Sequence, residues 1–262
     1  MKINNISARL KRKLLELPYD FIWLCKSVVK TLMGYESPYD KKVMQLKGLH
    51  VGRRAILLGN GPSVSYKDLE RFDGYVIFSC NRIHLAYENT TFRPDYVLTS
   101  DEQVIDDFSE DIVKNNKGIA KTVFVSKKLN KLSDYWFMLK KGKPFKFRIN
   151  IHQGLQSGGG TLISAVQLGH YMGIKEFYLY GVDHNFNFQL ETKGTRDASG
   201  EGNHFLKNYR AGKSWQAPTM DIVEDAFKES DKYLRKNGGF IKNATRGGSL
   251  EVLERVDIND VF

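Results

Sequence analysis

A glycine-rich turn directly after a buried strand is the feature that most constrains the fold of this chain. Residues 55–58 (AILL) form an apolar run without a polar break, which predicts a buried and parallel strand. Residues 59–63 (GNGPS) then turn the chain, and Ser65 is placed to cap a helix over residues 66–71. A strand, a glycine turn and a helix start often hold phosphate, because the backbone approaches the anion closely and free N–H groups face it.

The turn matches no complete nucleotide-binding motif. It lacks the Gly-Lys-Ser/Thr of a Walker A loop, and Val64 stands where the third glycine of GxGxxG would be. A plain structural turn is therefore the alternative interpretation. The position of the turn after the first strong strand of an α/β pattern favours a phosphate site.

Strands and helices alternate along the chain from residue 53 onward. This alternation predicts a Rossmann-like α/β domain over residues 51–262, with a mostly parallel sheet and helices on both faces. Residues 186–218 are polar, rich in glycine and without periodicity, and predict a lid-like segment. The predicted strands cover residues 55–58, 76–79, 96–99, 121–125, 176–180 and 240–242, and the predicted helices cover residues 160–172 and 220–237.

Small or polar residues follow several of the predicted strands. In an open parallel sheet, ligands bind at the carboxyl ends of the strands, so we expect these residues to meet at one edge. The alternative is that Asn and Asp simply favour turns. The residues gathered by this rule are Gly59–Ser63, Asn81, Ser100, Asp101, Asp183, His184 and Asn243–Thr245.

Positive charge is concentrated in the first fifth of the chain. The whole chain of 262 residues has a net charge of +10, and residues 1–50 account for +6. Apolar residues recur there at helical spacing among lysines and arginines, as in Ile3, Ile6 and Leu10. We expect residues 1–50 to form basic amphipathic helices at an anionic membrane surface, on the cytoplasmic side. Helices packed on the domain with a solvated basic face are the alternative.

The cysteines and the remaining composition exclude several classes of protein. Cys25 and Cys80 are far apart and form no CxxC pair, which argues against a disulfide framework or a thiolate zinc site and suits a reducing cytosol. No secretory signal is predicted. The modest charge of the body and the lack of a known module argue against nucleic-acid binding.

The candidate general base is a histidine in the lid-like segment. His204 can take a proton from a sugar hydroxyl, because imidazole titrates near neutral pH. His184 follows the strand at 176–180 and is a candidate ligand contact, whereas His152 is undecided. The glycines before Thr161 open a predicted helix and form a second candidate anion site. No Asp-x-Asp, Gly-x-Ser-x-Gly or HExxH motif occurs.

These motifs resemble those of a known group of enzymes. Residues 56–63 (ILLGNGPS), 78–81 (FSCN), 173–183 (GIKEFYLYGVD), 203–205 (NHF) and 243–248 (NATRGG) resemble the bacterial CMP-sialic-acid-dependent sialyltransferases of lipooligosaccharide synthesis. The resemblance covers about residues 53–258. It extends to flagellar motility accessory factors, proteins of capsule gene clusters and archaeal hydroxymethylpterin diphosphokinases.

The resemblance implies a metal-independent glycosyltransferase of capsule or lipopolysaccharide synthesis, with a single-domain GT-A-like fold, and the basic residues 1–50 predict that it is membrane-associated. It implies that His204 is the general base and that Asn81 bonds the donor or the leaving group. It implies no cofactor, a CMP-sugar donor, a glycan or glycolipid acceptor, and compatibility with a homo-oligomer. The candidate nucleotide- and donor-binding residues, gathered from the strand-end rule and the resemblance together, are Gly59, Asn60, Gly61, Pro62, Ser63, Ser100, Asp101, Gly159, Gly160, Thr161, Gly181, Asp183, His184, Asn185, Asn243 and Thr245.

Within that set, the resemblance places the phosphate at residues 59–63, the carboxylate of the donor sugar at 159–161 and the cytidine end at Gly181 and Asp183. The chain departs from the family where a tyrosine hydroxyl bonds the leaving phosphate, because Asn185 stands there. It departs again near Asp101, where Ser100 replaces a family asparagine. His184, Asn185 and Tyr209 are the candidate replacements for the tyrosine.

The donor sugar stays open between sialic acid, Kdo and another activated sugar. A second possibility is an ATP-dependent pterin diphosphokinase-like enzyme, for which the available magnesium ligands are Asp101, Asp106, Asp107 and Asp183. A third is a nucleotide- or partner-binding protein without catalytic activity.

Overall fold

The computed structural model of the chain describes residues 38–128, 131–140, 142–186, 189–190, 196–197, 202–213 and 218–262. The chain divides into two compact units, Met1–Gln45 and Leu46–Phe262. Residues 38–45 are the described part of the first unit, and helix α1 spans Pro38–Met44. Residues 1–37 of the amphipathic appendage predicted over residues 1–50 lie outside the described residues, so its membrane association stays a prediction.

The second unit is built on one parallel sheet of eight strands. From edge to edge the strand order is β10-β9-β6-β1-β2-β3-β4-β5, and every neighbouring pair is parallel. A separate antiparallel pair, β7 with β8, lies in the segment predicted to be lid-like. The strands are β1 Arg54–Leu58, β2 Val76–Cys80, β3 Tyr96–Thr99, β4 Lys121–Ser126, β5 Tyr135–Met138, β6 Glu176–Tyr180, β7 Gln189–Leu190, β8 Arg196–Asp197, β9 Phe240–Asn243 and β10 Glu254–Arg255.

The central strands are buried on both faces. Every residue of β2 and β3 is buried, and in β1 only Arg54 is exposed. Continuous apolar runs of this kind are what a parallel sheet covered by helices requires, because neither face of the strand meets water. The prediction of a mostly parallel, Rossmann-like α/β fold is confirmed.

Among the described residues of the second unit, four α-helices connect the strands. Ser65 caps α2 as predicted, with its hydroxyl accepting from the Asp68 N–H at 3.2 Å. The helices predicted at 160–172 and 220–237 are present with slightly shorter bounds. The helix that follows β3 was not predicted. The helices are α2 Tyr66–Leu69, α3 Glu102–Asn116, α4 Thr161–Tyr171 and α5 Met220–Lys236.

The strand order of the sheet has a switch point between β1 and β6, where the chain begins to add strands on the other side of β1. After β1 it builds β2 to β5 on one side, then returns to place β6 on the other side of β1. The loops that leave β1 and β6 therefore diverge at the carboxyl ends of two adjacent strands, which is where open α/β sheets bind ligands. Among the described residues, no helix is long and apolar enough to span a membrane.

Candidate functional site

The loops after β1 and β6 are joined by backbone hydrogen bonds. The Gly59 N–H donates to the Tyr180 carbonyl and the Gly61 N–H to the Gly181 carbonyl, both at 2.8 Å. This close approach explains the glycines, because a Cβ on Gly59 would collide with the Gly181 carbonyl. Gly181 also has a φ of +72°, which favours glycine.

Asp183 closes the same junction with its side chain. Its carboxylate accepts from the Ser63 hydroxyl at 2.8 Å and from the Ser63 N–H at 3.2 Å. A Cβ on Gly61 would collide with this carboxylate. The N–H groups of Gly59, Gly61 and Ser63 thus donate within the protein, so they are already used in holding the two loops together.

A cleft opens beside this junction and collects most of the predicted site. About 840 Å³ of space free of protein atoms lies within it, open solvent at its mouth included. The predicted residues that line it are Gly59, Asn60, Gly61, Asn81, Gly159, Gly160, Thr161, Gly181, Asp183, His184, Asn185 and His204.

Asn60 and Tyr209 meet beneath the cleft. The Asn60 amide donates to the Tyr209 hydroxyl at 3.1 Å and to the Cys80 carbonyl at 3.0 Å. Burial raises the pKa of Tyr209 well above its ordinary value, so its hydroxyl stays protonated. The Oδ1 atoms of Asn60 and Asn81 are buried and accept no hydrogen bond within the described part of the chain. Two unpaired acceptors beside a cleft are suited to bond the donor groups of a ligand.

Asn81 and His184 both have left-handed backbone conformations, with φ of +54° and +52°. Each directly follows or lies close to the end of a strand, β2 for Asn81 and β6 for His184. Non-glycine residues in this region are held there by their surroundings at some cost in energy. The His184 Nε2 lies 3.1 Å from Glu224 Oε1 on α5, which fixes the ring orientation at the cleft wall.

His204 is brought into the cleft by the segment 202–213. Its imidazole stacks on the Tyr209 ring, with the centroids 3.8 Å apart and the planes 15° from parallel. Burial, assisted by the positive charge of Arg210, lowers the pKa of His204 to about 4. The imidazole is therefore neutral at pH 7, the state in which it can accept a proton.

Contacts with the sheet and with α3 hold the segment 202–213 in place. The Phe205 N–H donates to the Asn60 carbonyl at 3.0 Å, and Arg82 donates to the Tyr209 carbonyl. Asp107 on α3 pairs with Lys213 at 2.8 Å and with Arg210 at 3.4 Å. The histidine is thus positioned by residues distant from it in sequence.

The amino end of α4 forms the wall of the cleft opposite the junction. Gly160 is the capping position and has no side chain to bond the first N–H groups, and Gly159 has a φ of +82°. Thr161 Oγ1 lies 2.9 Å from the Ser100 hydroxyl, which is how Ser100 supports the wall from outside. An eleven-residue helix whose amino end lines a cleft presents a partial positive charge to it.

Six predicted site residues do not line the cleft. The Asp101 carboxylate caps α3 by accepting from the Gln103 and Val104 N–H groups. Ser63 and Ser100 make the supporting contacts described above, and Pro62 continues the turn. The Asn243 side chain donates to the Leu250 carbonyl and accepts from the Thr245 N–H. The Thr245 hydroxyl accepts from the Val182 N–H, so both residues support loops beside the cleft.

The sequence did not reveal several residues that line the cleft. Cys80 is one, and burial raises the pKa of its thiol to about 12, so it is no nucleophile. Asn203 is buried at the cleft, and its position next to His204 was the available signal. The rest, apart from Tyr209, form an apolar wall that looks like ordinary core in the sequence: Leu162, Val182, Phe186, Pro218, Val223 and Phe227.

The carboxylates considered as magnesium ligands are dispersed. Asp183 bonds Ser63, Asp107 pairs with Lys213, and Asp101 caps α3. Within the described ranges, no group of three or more His, Cys, Asp or Glu side chains is arranged to hold a metal ion.

Comparison with known proteins identifies a family for most of the chain. The family model described as 6-hydroxymethylpterin diphosphokinase MptE-like matches residues 31–188, more than half of the chain. The match includes the loops after β1 and β6 and the start of α4, and it ends before the segment that contains His204. No curated protein matches the sequence significantly.

Two solved structures illustrate the similarity of fold. The MAf glycosyltransferase from Magnetospirillum magneticum AMB-1 is 17% identical with a TM-score of 0.48, over 87% of this chain and 40% of that one. The sialyltransferase CstII from Campylobacter jejuni, solved with cytidine-5'-monophosphate, is 16% identical with a TM-score of 0.44, over 79% of this chain and 86% of that one. This chain thus spans less than half of the Magnetospirillum protein.

Proposed function

The chain belongs to the MptE-like family, and within it we propose that this protein is a glycosyltransferase. It moves a sugar, such as sialic acid or Kdo, from a CMP-activated donor to a glycan acceptor. One observation carries the proposal: a neutral imidazole, His204, lies in the same cleft as the strand-end loops and the amino end of α4. His204 supplies a base for the acceptor hydroxyl, and the strand-end loops with the amino end of α4 form a site for an anionic donor.

The proposed reaction is one displacement at the anomeric carbon. The acceptor hydroxyl gives its proton to His204 as its oxygen bonds the anomeric carbon. The bond from that carbon to the phosphate oxygen breaks, and its electron pair leaves with CMP. Because the phosphate is negative, its binding near His204 raises the low pKa of the imidazole and makes it a stronger base during the reaction.

The donor is proposed to lie along the cleft between two ends. The amino end of α4, with Gly159, Gly160 and Thr161, takes a negative group of the donor, since the helix dipole and its first N–H groups favour anions. The loop 181–185 takes the nucleoside. Asn81, with a buried and unpaired Oδ1, bonds a donor group of the substrate.

Nucleotide binding tests the site before any acceptor is known. CMP, UDP, GDP and ATP would each be added to the protein, and the melting temperature measured, since a ligand that binds only the folded state raises it. We expect CMP to stabilise most. The matched variant Gly160→Val, which adds bulk at the α4 wall, should lose this shift and keep the melting temperature of the free protein.

Turnover tests the chemistry. We expect the protein with a CMP-sugar to release CMP, with EDTA causing no loss, and His204→Gln to reduce the rate by about 10²–10⁴-fold, as is typical for loss of a general base. Binding of CMP by His204→Gln should persist. Undiminished release by this variant would show that His204 is not the base.

An ATP-dependent diphosphokinase is the second candidate, and the family match is the observation that favours it. It would transfer diphosphate to a pterin hydroxyl, release AMP and require magnesium. Incubation with ATP, magnesium and hydroxymethylpterin separates the two candidates, because AMP release would replace CMP release. If neither CMP nor AMP is released at saturating substrate, the result would favour a binding protein without catalytic activity.

A further inference from the structure

The second unit has a strongly positive segment that the net charge of the chain conceals. Residues 51–262 have a net charge of +4, but residues 127–148 alone contain eight lysines or arginines and one aspartate, a net +7. The remainder of residues 51–262 is therefore at −3. The expectation that positive charge is concentrated in the first fifth of the chain overlooked this second concentration.

The positive residues lie at the edge of the sheet where the cleft opens. Lys127 and Lys128 directly follow β4, and the run from Lys140 follows β5. Because these strands are parallel to β1 and β6, their carboxyl ends are at the same edge as the loops of the cleft. We call Lys127, Lys128, Lys143 and Lys146, all exposed, the basic rim.

Two buried glutamines fix the backbone beneath part of the basic rim. Gln156 donates to the Gly142 carbonyl at 2.7 Å and accepts from the Lys146 N–H at 3.0 Å. Gln167, with no exposed surface, accepts from the Arg148 N–H at 3.2 Å. Phe147 stacks on Tyr233 with the centroids 4.3 Å apart. The lysines are thus displayed on a backbone that is already ordered, which lowers the entropy lost on binding a partner.

The ordered segment begins beside the wall of the cleft and then runs away from it. Phe145 packs close to Gly158, the residue before the glycines that line the cleft wall. Phe147 contacts His170 and Tyr233 near the carboxyl ends of α4 and α5, which are the ends away from the cleft. A surface that meets Lys143, two residues before Phe145, would therefore lie near the cleft wall.

Few carboxylates neutralise the basic rim. Among the described residues, no carboxylate forms an ion pair with any of its four lysines. Glu102 accepts from the Lys127 N–H and the Ser126 hydroxyl, and Asp134 bonds Thr122 near the other end of β4. Exposed lysines without a carboxylate partner in the described part of the chain form a surface that complements anionic headgroups.

We propose that the basic rim docks the protein on a bilayer containing anionic phospholipid, with the cleft mouth towards the headgroups. This docking concerns the second unit and is separate from the membrane contact predicted for residues 1–50. It does not depend on the nucleotide reaction proposed above, so it can be tested without substrate. If both proposals hold, a lipid-linked acceptor would meet the cleft where the protein rests on the membrane.

The test is sedimentation of the full-length chain with vesicles of phosphatidylcholine, with and without phosphatidylglycerol. The variant is Lys143→Gln with Lys146→Gln. Its matched control is Lys114→Gln with Lys117→Gln, two exposed lysines at the end of α3, at the opposite edge of the sheet. Both pairs remove the same charge. A Lys127→Gln and Lys128→Gln pair tests the rim again if the first variant folds poorly.

We expect the first variant to bind the anionic vesicles on the order of 30-fold more weakly than the unchanged chain, from the attraction of a lysine to an anionic surface. The control pair should lose less than threefold. Binding should weaken at high salt and should be absent with phosphatidylcholine alone.

Equal losses in the rim and control variants would overturn the proposal, because only total charge would then matter. Unchanged binding in both rim variants would also overturn it and would assign membrane contact elsewhere. Retention by soluble anionic glycan or RNA, with no retention by vesicles, would identify a different partner class and would refute the lipid assignment.

Discussion

The low pKa of His204 predicts that this one residue makes the protein less stable in mild acid. The unfolded chain binds a proton at His204 with a pKa near 6.5, whereas the folded protein binds it only near pH 4. Between these values the unfolded state holds more protons, so the free energy of unfolding rises with pH. The destabilisation is absent above pH 6.5, grows as pH falls, and is complete below pH 4.

The magnitude follows from the two pKa values. At about 1.4 kcal/mol for each pH unit, the separation corresponds to an upper limit of ~3 kcal/mol below pH 4. Because the imidazole is partly exposed and solvent screens part of the effect, we expect about 1–2 kcal/mol at pH 4.5. Replacing His204 with Gln removes the titrating group and keeps a polar side chain.

The assay is urea denaturation of both proteins at pH 7.5 and pH 4.5. The unchanged chain should lose about 1–2 kcal/mol more than His204→Gln between the two pH values, because all other titrating groups are common to both. His84 and His170, whose pKa values are also lowered by burial, contribute equally to both proteins and cancel. The same loss in both proteins would refute the conclusion that His204 is held neutral by its surroundings.

Three further perturbations test the contacts that assemble the site. In urea denaturation, Gly61→Ala should lower the free energy of unfolding by more than ~2 kcal/mol, because the added Cβ collides with the Asp183 carboxylate. Ser63→Ala should lower it by only ~1 kcal/mol, because it removes one hydrogen bond to the same carboxylate. Equal losses in the two variants would contradict the steric argument. Tyr209→Phe should lower the free energy of unfolding by about 1–2 kcal/mol, because it removes the hydroxyl that accepts from the Asn60 amide. Tyr209→Leu should lower it by about a further 1 kcal/mol, because it also removes the ring stacked on His204. No loss of stability in either variant would show that the stacked ring does not support the site. Asp107→Asn should lower the free energy of unfolding by less than ~1 kcal/mol, since its ion pairs are near the surface. Trypsin should nevertheless cleave within residues 202–213 faster in this variant. Unchanged cleavage would show that the ion pairs do not hold the segment in place.

The elements that the sequence predicted are those whose burial leaves an uninterrupted apolar pattern. β1, β2, β3 and β6 are covered on both faces, so each appears as a continuous apolar run. Helix α3 was missed because only one face is buried and most of its residues are polar. β5 was missed because it is a short strand at the edge of the sheet, half-buried and surrounded by lysines.

The candidate site was predictable only where topology decides position. The strand-end rule placed Asn81, Asp183 and His184 at one edge of the sheet before the strand order was known, and all three line the cleft. It could not separate ligand contacts from structural ones, because a capping carboxylate such as Asp101 has the same residue type and the same place in sequence as a ligand. Tyr209 lay beyond it, since its partner Asn60 is 149 positions away and the polar segment has no periodicity.

The structure gives the glycine turn a role in addition to the phosphate site that its sequence predicts, and that site stays a prediction. A phosphate cradle needs N–H groups without partners, yet those of Gly59, Gly61 and Ser63 donate to the loop after β6. The glycines are needed because that loop approaches so closely that side chains cannot fit. The turn therefore shapes the cleft by joining two loops.

The amino end of α4 also attracts an anion, because its capping position has no side chain to bond the first N–H groups. A negative group held there lies in the same cleft as His204 and would raise the low pKa of the imidazole. If the proposed function holds, binding of an anionic donor and activation of the base would be coupled, because His204 is a weak base at its lowered pKa and a nearby anion would strengthen it.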